Sequence, residues 1–205
     1  MIDQLVDLVG SVKHRLESYL LRRQWAKLRA AGMTIGADVW LPRSTWIDIH
    51  HCHLISIGEH CGFGEQCMIL AHDAQMDEFL DAARIGRVII YPSCHIGART
   101  TILPGVEIGP RTIVGANSLV SRSLPPDTVC AGTPAKVLCT LDQYLDRHRA
   151  RLATAATFPY SMYDARVLTP ERRAELFAAV AAGDRYIVGG RSAELRGEGG
   201  TSRTT

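Results

Sequence analysis

Residues 90–120 read IYPSCHIGARTTILPGVEIGPRTIVGANSLV, with an aliphatic side chain at every sixth position. These aliphatic residues are Ile90, Ile96, Ile102, Ile108, Val114 and Val120. A period of six fits neither one face of an α-helix nor the alternation of a single strand. It is typical of a hexapeptide solenoid, a parallel β-helix in which each hexad forms one wall of a triangular coil.

The same period extends towards the N-terminus with two interruptions. Further aliphatic or aromatic positions in this pattern are Ile35, Leu41, Ile47, Ile57, Phe63 and Ile69. The first interruption lies between Ile47 and Ile57, and the second lies between Ile69 and Ile90. We expect residues 74–87 to protrude from the coil as a loop at the second interruption. Twelve hexads at three per coil predict a mainly β protein of about four coils.

A second inward position lies two residues before the aliphatic one and holds only small side chains. Its occupants are Cys61, Cys67, Cys94, Thr100, Val106, Thr112 and Ser118. A narrow triangular interior requires small side chains there, because protein cores are close-packed. We therefore predict that these three cysteines are inert core residues and not catalytic thiols.

The composition argues against several classes of protein. The chain has 205 residues, of which 46% are apolar and 21% charged, and a net charge of +2, so nothing indicates a general attraction to nucleic acid. No apolar run reaches the length of a membrane span, and the N-terminus lacks the basic-then-apolar layout of a signal peptide. Six cysteines without a CxxC pair do not indicate a disulfide framework. Together these features predict a cytoplasmic protein.

The sequence divides into four segments. We predict an N-terminal helical segment (1–31), a β-helix domain (32–139), a C-terminal helical extension (140–188) and a disordered tail (189–205). The first segment is a basic amphipathic helix, expected to pack on a neighbour, with contact to a membrane surface as the alternative.

Several residues mark the ends of these segments. Pro125 and Pro126 are expected to take the chain out of the solenoid, since proline cannot donate a ladder hydrogen bond. A capping box of Thr140 and Gln143 opens one helix, to about residue 156, and Thr169-Pro170-Glu171 opens a second that ends near residue 183.

The segment from Ile96 to Leu138 carries four landmarks in order. They are Ile108-Gly109, Gly115-Ala116-Asn117-Ser118, Leu124-Pro125 and Gly132-Thr133-Pro134-Ala135-Lys136. In this combination the segment resembles the closing coils of hexapeptide-repeat acyltransferases, above all the sugar and polysaccharide O-acetyltransferases such as the maltose and galactoside enzymes. The resemblance implies a left-handed β-helix, a homotrimer with its active site between two subunits, acetyl-CoA as acyl donor, a sugar or glycoconjugate acceptor and no metal.

The resemblance also implies a general base, His72, just before the protruding loop. An imidazole can take the proton of a hydroxyl as that hydroxyl attacks a thioester, so no nucleophilic side chain is required. The partner that orients the ring stays open among Asp73, Asp48 and Glu65, although Asp73 is disfavoured because neighbours on a strand point to opposite faces.

The implied coenzyme A residues are small or basic. Ala98 and Ala116 lie eighteen residues apart, one coil, and their small size would let the pantetheine arm lie against the backbone. Ser121 and Arg122 follow the last hexad, and Lys136 matches a basic residue that faces the nucleotide phosphates.

Other functions stay open beside this one. A strand through His50-His51-Cys52-His53 would offer two metal ligands per face, too few for a closed zinc site. A γ-type carbonic anhydrase would need a histidine five residues after His72, where Asp77 stands. An N-acyltransferase on an amino-sugar, a longer acyl donor and a non-catalytic scaffold are the remaining alternatives. The acceptor is undetermined, because residues 46–53 lack the asparagine with which sugar acetyltransferases contact it.

Overall fold

Short parallel strands form three flat walls of a triangular coil in the computed structural model, which describes residues 12, 16, 19–164, 168–181 and 183–190. Wall A contains β1 (Thr34–Ile35), β3 (Ile55–Ile57), β8 (Val88–Ile90) and β11 (Glu107–Ile108). Wall B contains β4 (Gly62–Phe63), β9 (His95–Ile96), β12 (Ile113–Val114) and β14 (Thr128–Ala131), with Trp40 bridged to Gly62 below them. Wall C contains β2 (Trp46–Ile47), β5 (Met68–Ile69), β10 (Thr101–Ile102) and β13 (Leu119–Val120).

The chain visits the three walls in turn and completes four coils, which confirms the number predicted from the period. Equivalent hexad positions stack in register, so that Ile96 lies between Phe63 and Val114 on wall B. The twelve aliphatic or aromatic hexad residues are all buried, and so are the small residues two positions before them. Burial raises the pKa of the Cys67 thiol, which is consistent with an inert core cysteine.

Successive coils approach each other closely at the corners. A Cβ atom on Gly97 would lie 2.3 Å from the backbone nitrogen of Ala116 in the next coil, so only glycine fits there. Three residues after a hexad aliphatic residue, the backbone turns through the left-handed region, as at Gln66, Arg99 and Asn117. These turns bend the chain from one wall to the next.

The two interruptions of the period form structure outside the walls. Between β2 and β3 the chain makes a one-turn 3-10 helix (Cys52–Leu54). Between β5 and β8 it forms an antiparallel hairpin of β6 (His72–Asp73) and β7 (Arg84–Ile85), with the short helix α2 (Asp77–Leu80) at its tip.

The prediction that the two prolines end the solenoid is wrong. Leu124 bridges to Ile108 and extends wall A, and β14 then extends wall B. Pro125 and Pro126 lie at the corner between these walls, where no ladder donor is needed. The solenoid ends instead when β15 (Lys136–Thr140) turns back and pairs antiparallel with β14.

Helix α1 (residues 19–30) precedes the first coil and ends in a Schellman motif. Gly32 adopts a left-handed conformation, and the Met33 N–H donates to the Leu28 carbonyl at 3.0 Å. The predicted packing of the apolar stripe is not seen at Val12, Leu16 and Tyr19, which are more than half exposed. Leu20, also in the stripe, is half-buried, and the stripe residues Leu5, Leu8 and Val9 lie outside the described residues. Within the described part of the chain, no helix is long and apolar enough to cross a membrane.

The chain separates into two compact units, Met1–Tyr144 and Leu145–Thr205. Helix α3 (Leu141–Leu152) begins at the predicted capping box, in which the Gln143 N–H donates to Thr140 Oγ1 at 3.2 Å. The second unit contains α4 (Tyr160–Tyr163), α5 (Pro170–Val180) and a parallel pair, β16 (Thr157–Pro159) with β17 (Tyr186–Val188), that the sequence did not predict. The predicted tail lies outside the described residues after residue 190.

We predict that Ile102→Ala destabilises the solenoid by about 2–5 kcal/mol, because Ile102 is fully buried and the coil cannot collapse around the cavity. Urea denaturation at one fixed protein concentration measures the change. The matched variant Ile85→Ala removes the same atoms from an exposed side chain and should change stability by no more than about 0.5 kcal/mol. Equal losses in both variants would contradict the assignment of Ile102 to the core.

Candidate active site

His72 is held at the corner between walls C and A by the base of the hairpin. It pairs with Ile85 across the two strands, and the Gly86 N–H donates to the Ala71 carbonyl at 2.9 Å. The side chain of His72 is 32% exposed, so it is fixed by its backbone yet reachable from outside. A fixed and reachable imidazole is compatible with the predicted role of general base.

A single buried carboxylate, Asp48, organises this corner. It follows β2 in the coil below, and its side chain is 1% exposed. One oxygen, Oδ2, accepts a short hydrogen bond from His72 Nδ1 and another from the Ala71 N–H at 3.2 Å. The other oxygen, Oδ1, faces the His51 N–H at 3.3 Å. Asp48 is thus the orienting partner that the sequence had left open.

The other two candidates for that role are engaged elsewhere. Asp73 accepts a hydrogen bond from the Gln75 N–H at 3.0 Å, within its own turn. Glu65 accepts a short hydrogen bond from the Ser44 hydroxyl. Neither carboxylate has a hydrogen bond to His72 in the described part of the chain.

The charge of Asp48 follows from its surroundings. Burial raises the pKa of this carboxyl, but the hydrogen bonds from His72 and from the Ala71 and His51 N–H groups lower it by more. The pKa therefore lies below its usual range and the group is a carboxylate at neutral pH. An ionised Asp48 favours the tautomer in which His72 Nδ1 carries the hydrogen, which leaves Nε2 free to accept a proton.

His51 lies beside this pair, in a conformation that the sequence did not predict. Residues 52–54 form a 3-10 helix, so the expected alternation of histidines on a strand is wrong. The His51 ring lies 4.6 Å from that of His72, and its Nδ1 lies 3.6 Å from Asp48 Oδ1. That buried nitrogen has no hydrogen-bond partner among the described residues.

Asp48, His51 and His72 each offer a ligand atom, and these atoms lie within 4.8 Å of one another. Sets of two imidazoles and one carboxylate can bind zinc, so the donor chemistry would fit a divalent cation. The short hydrogen bond between His72 and Asp48 already uses one atom from each of these two residues. A site without a resident metal stays a prediction.

A cleft of about 830 Å³ opens beside His72. One side is a face of α1, and the other is the first coil from Arg43 to His50. This cleft could not be predicted from the sequence, because the position of α1 depends on packing and not on the hexapeptide period. The cleft leaves space for a small molecule next to the imidazole.

The predicted coenzyme A residues fall into two groups. Ala98 and Ala116 stack in successive coils at the corner between walls B and C, where the Asn117 N–H donates to the Ala98 carbonyl at 2.8 Å. Lys136 is exposed on β15, and it pairs with Ala131 above the same corner.

Ser121 and Arg122 form the second group. They follow β13 and lie at the corner between walls C and A, on the same edge of the solenoid as His72. The structure therefore separates these two residues from the alanine pair by the full width of wall C.

Comparison with known proteins identifies the family. Residues 87–122 match the model described as "Bacterial transferase hexapeptide (six repeats)". The chain is 31% identical over 133 residues to the "Putative acetyltransferase YvoF" of Bacillus subtilis (strain 168), covering 65% of this chain and 75% of that protein. It is 35% identical over 86 residues to the galactoside O-acetyltransferase of Lactococcus lactis, covering 40% and 42% of the two chains.

A solved structure is also similar. The hexapeptide-repeat acetyltransferase VCA0836 of Vibrio cholerae, crystallised with acetyl coenzyme A, is 21% identical and gives a TM-score of 0.46 over 58% of this chain and 77% of its own. The sequence matches show that the chain belongs to the hexapeptide-repeat acetyltransferases. Its solenoid is the left-handed parallel β-helix of that family, and it is an acyltransferase.

We predict that Asp48→Asn flattens the acid dependence of stability. A carboxyl whose pKa is lowered on folding contributes stability above its unfolded pKa of about 3.9, and this contribution is lost as the pH falls through the lower folded pKa. Urea midpoints measured from about pH 5 to pH 3 should therefore fall less steeply in the variant than in the wild type.

Asp73→Asn is the matched control, because Asp73 lies beside His72 in sequence but its carboxylate accepts its hydrogen bond within its own turn. It should keep the wild-type slope. An unchanged slope in Asp48→Asn would contradict the assigned charge of Asp48.

Proposed function

We propose that this protein is an acetyl-CoA-dependent O-acetyltransferase that acetylates a hydroxyl group of a sugar or glycoconjugate, with His72 as general base. The observation that carries the proposal is the pairing of His72 with the buried carboxylate of Asp48 beside an open cleft. The relative from Lactococcus lactis, named for O-acetyl transfer to a galactoside, supports the class of acceptor.

The chemistry is a direct transfer in a ternary complex. The acceptor hydroxyl lies in the cleft and gives its proton to His72 Nε2 while its oxygen attacks the thioester carbonyl carbon. The carbon–sulfur bond then breaks, and His72 returns the proton to the leaving thiolate. Asp48 stays ionised throughout, holds the ring in one orientation and stabilises the transient imidazolium.

The donor is proposed to bind at the corner between walls B and C. Ala98 and Ala116 carry nothing beyond Cβ there, so an extended pantetheine arm can lie against two successive coils. Lys136 supplies a cation for the nucleotide phosphates at the end of the same edge. Ser121 and Arg122, on the other edge, would then contact the donor held by a neighbouring subunit.

This arrangement supports a homotrimer. Ala98 precedes wall C and His72 follows it. When the coils are aligned by the pairing of Thr101 with Met68, the two residues are separated across this wall by about seven positions, or roughly 20 Å of extended chain. In the proposed homotrimer, the histidine of a second copy would instead face a thioester held in this groove. Met68 and Leu119, on either side of Thr101 in the register of wall C, add apolar surface to its outer face that suits such contact.

The proposal assigns the enzyme to the cytoplasm. All six cysteines are free thiols, five of them buried, as in proteins of a reducing compartment.

We predict that His72→Ala lowers kcat for release of free CoA by about 10²–10⁴-fold, the usual contribution of a general base. Asp48→Asn should lower kcat by a smaller factor, because the base is kept but no longer oriented. A thiol-reactive dye and a panel of sugars provide the assay, and amino-sugars in the panel test for N-acylation.

His60→Ala is the control, since His60 lies beside Asp38 on another corner. It should keep wild-type kcat, and chelation of metals should leave the wild type active. Unchanged turnover in a folded His72→Ala would contradict the assigned mechanism.

We predict that Ala116→Leu raises the KM for acetyl-CoA at least tenfold, because a larger side chain would fill the proposed groove. Ala37→Leu makes the same change at an exposed turn of the first coil and should leave this KM unchanged. An unaltered KM in Ala116→Leu would place the donor elsewhere.

The same variant tests the shared active site. At acetyl-CoA concentrations well below the KM of Ala116→Leu, co-folding this variant with His72→Ala should give more activity than either variant alone, because some interfaces combine an intact groove with an intact base. No recovery in mixed oligomers would place both elements of one site in the same protomer.

A further inference from the structure

The face of α1 that lines the cleft is basic. Residues 20, 23, 24, 27 and 28 line it, the spacing of a single helix face. Leu28 is buried and anchors the helix, whereas the side chains of Arg23 and Lys27 are exposed one turn apart. Arg43, before β2, adds a third cation from the opposite side of the cleft.

These three cations have no acidic counterpart in the cleft. The acidic residue among its lining side chains is Asp48, which is buried and hydrogen-bonded to His72. Among the described residues, no salt bridge involves Arg23, Lys27 or Arg43. An isolated surface cation is commonplace, but three that converge on one concave site raise its positive potential and attract an anion.

The other cations of α1 show that this convergence is selective. Arg29 donates to the Ile35 carbonyl at 3.0 Å and lies over the Trp25 ring, so it serves packing. Arg22 is exposed and lies outside the cleft lining. The chain thus offers a neighbouring arginine that differs from Arg23 chiefly in the direction it faces.

Two guanidinium groups and an ammonium suit a phosphate better than a single carboxylate. A phosphate monoester carries nearly two charges and three acceptor oxygens, and arginine binds such groups with paired N–H donors. Trp46 also lines the cleft and is 48% exposed, which gives a sugar ring an apolar surface to lie against. The three cations, the Trp46 ring and His72 therefore line the same cleft.

We propose that the acceptor is a phosphorylated sugar whose phosphate is held by Arg23, Lys27 and Arg43 while a hydroxyl of the same sugar reaches His72. This inference rests on the proposed acetyltransferase function. The recognised group is a phosphate monoester on the sugar, with its nearly two charges and three acceptor oxygens.

The test compares glucose, galactose and N-acetylglucosamine with their 1-phosphates and with glucuronic and galacturonic acids, by release of free CoA. We expect at least one 1-phosphate to exceed its neutral parent and the uronic acids tenfold or more in kcat/KM. In the double variant Arg23→Ala/Lys27→Ala, kcat/KM for that acceptor should fall at least tenfold because its KM rises, whereas the KM for acetyl-CoA should stay unchanged. Arg22→Ala should behave as wild type.

Several outcomes would overturn the proposal. One is a kcat/KM for neutral sugars or uronic acids that equals that for the phosphates. Another is a loss of kcat/KM in Arg22→Ala as large as the loss in the double variant. A rise in the KM for acetyl-CoA in the double variant would assign the cations to the donor instead.

Binding separates this proposal from the proposed function. Calorimetry with the three 1-phosphates should show an affinity that falls at least tenfold in the double variant and weakens with added salt, even if the wild type releases no CoA. No CoA release with any acceptor would contradict the proposed function alone. The phosphate site would be overturned if none of the 1-phosphates binds. It would also be overturned if the wild type binds phosphatidylglycerol vesicles instead and the double variant does not.

Discussion

The narrow interior of the triangular coil is the constraint on which the rest of this structure depends. Each hexad contributes one aliphatic or aromatic side chain and one small side chain, and the corners bring backbone to within van der Waals contact of backbone. Such an interior leaves no space for a polar site. Chemistry is therefore restricted to the corners, where side chains leave the walls and insertions do not disturb the register.

Asp48 shows how a corner can bear a functional group without losing order. It sits in one coil and receives hydrogen bonds from the backbone and the histidine of the next, so the vertical stacking of coils also positions the proposed base. The same carboxylate faces the His51 N–H, which ties the first interruption of the period to the second. One buried charge thus joins two coils and also orients the histidine proposed to act as base.

The repeating part of the fold could be predicted from the sequence because its period reports a local rule, one hexad to one wall. The number of coils, the buried cysteines and the stacking of Ala98 on Ala116 all follow from counting residues. Features that depend on contacts between distant segments could not be read in this way. Three such features arise where the period stops: the pairing of His72 with Asp48 and not with Asp73, the approach of His51, and the cleft beside α1. The prediction from the prolines after β13 was wrong because a corner needs no ladder donor.

The stacking of coils also sets the distances between side chains along the solenoid axis. Asp48, His72, Ala98 and Ala116 lie in the first, second, third and fourth coils, and each coil rises by roughly 4.8 Å, the spacing of neighbouring strands. The distance between two of these residues along the solenoid axis is therefore a whole number of coil rises. Adding or removing one coil would move a side chain along the axis by one full rise. Adjustment finer than that rise is left to the segments outside the register, namely the hairpin, the 3-10 turn and α1.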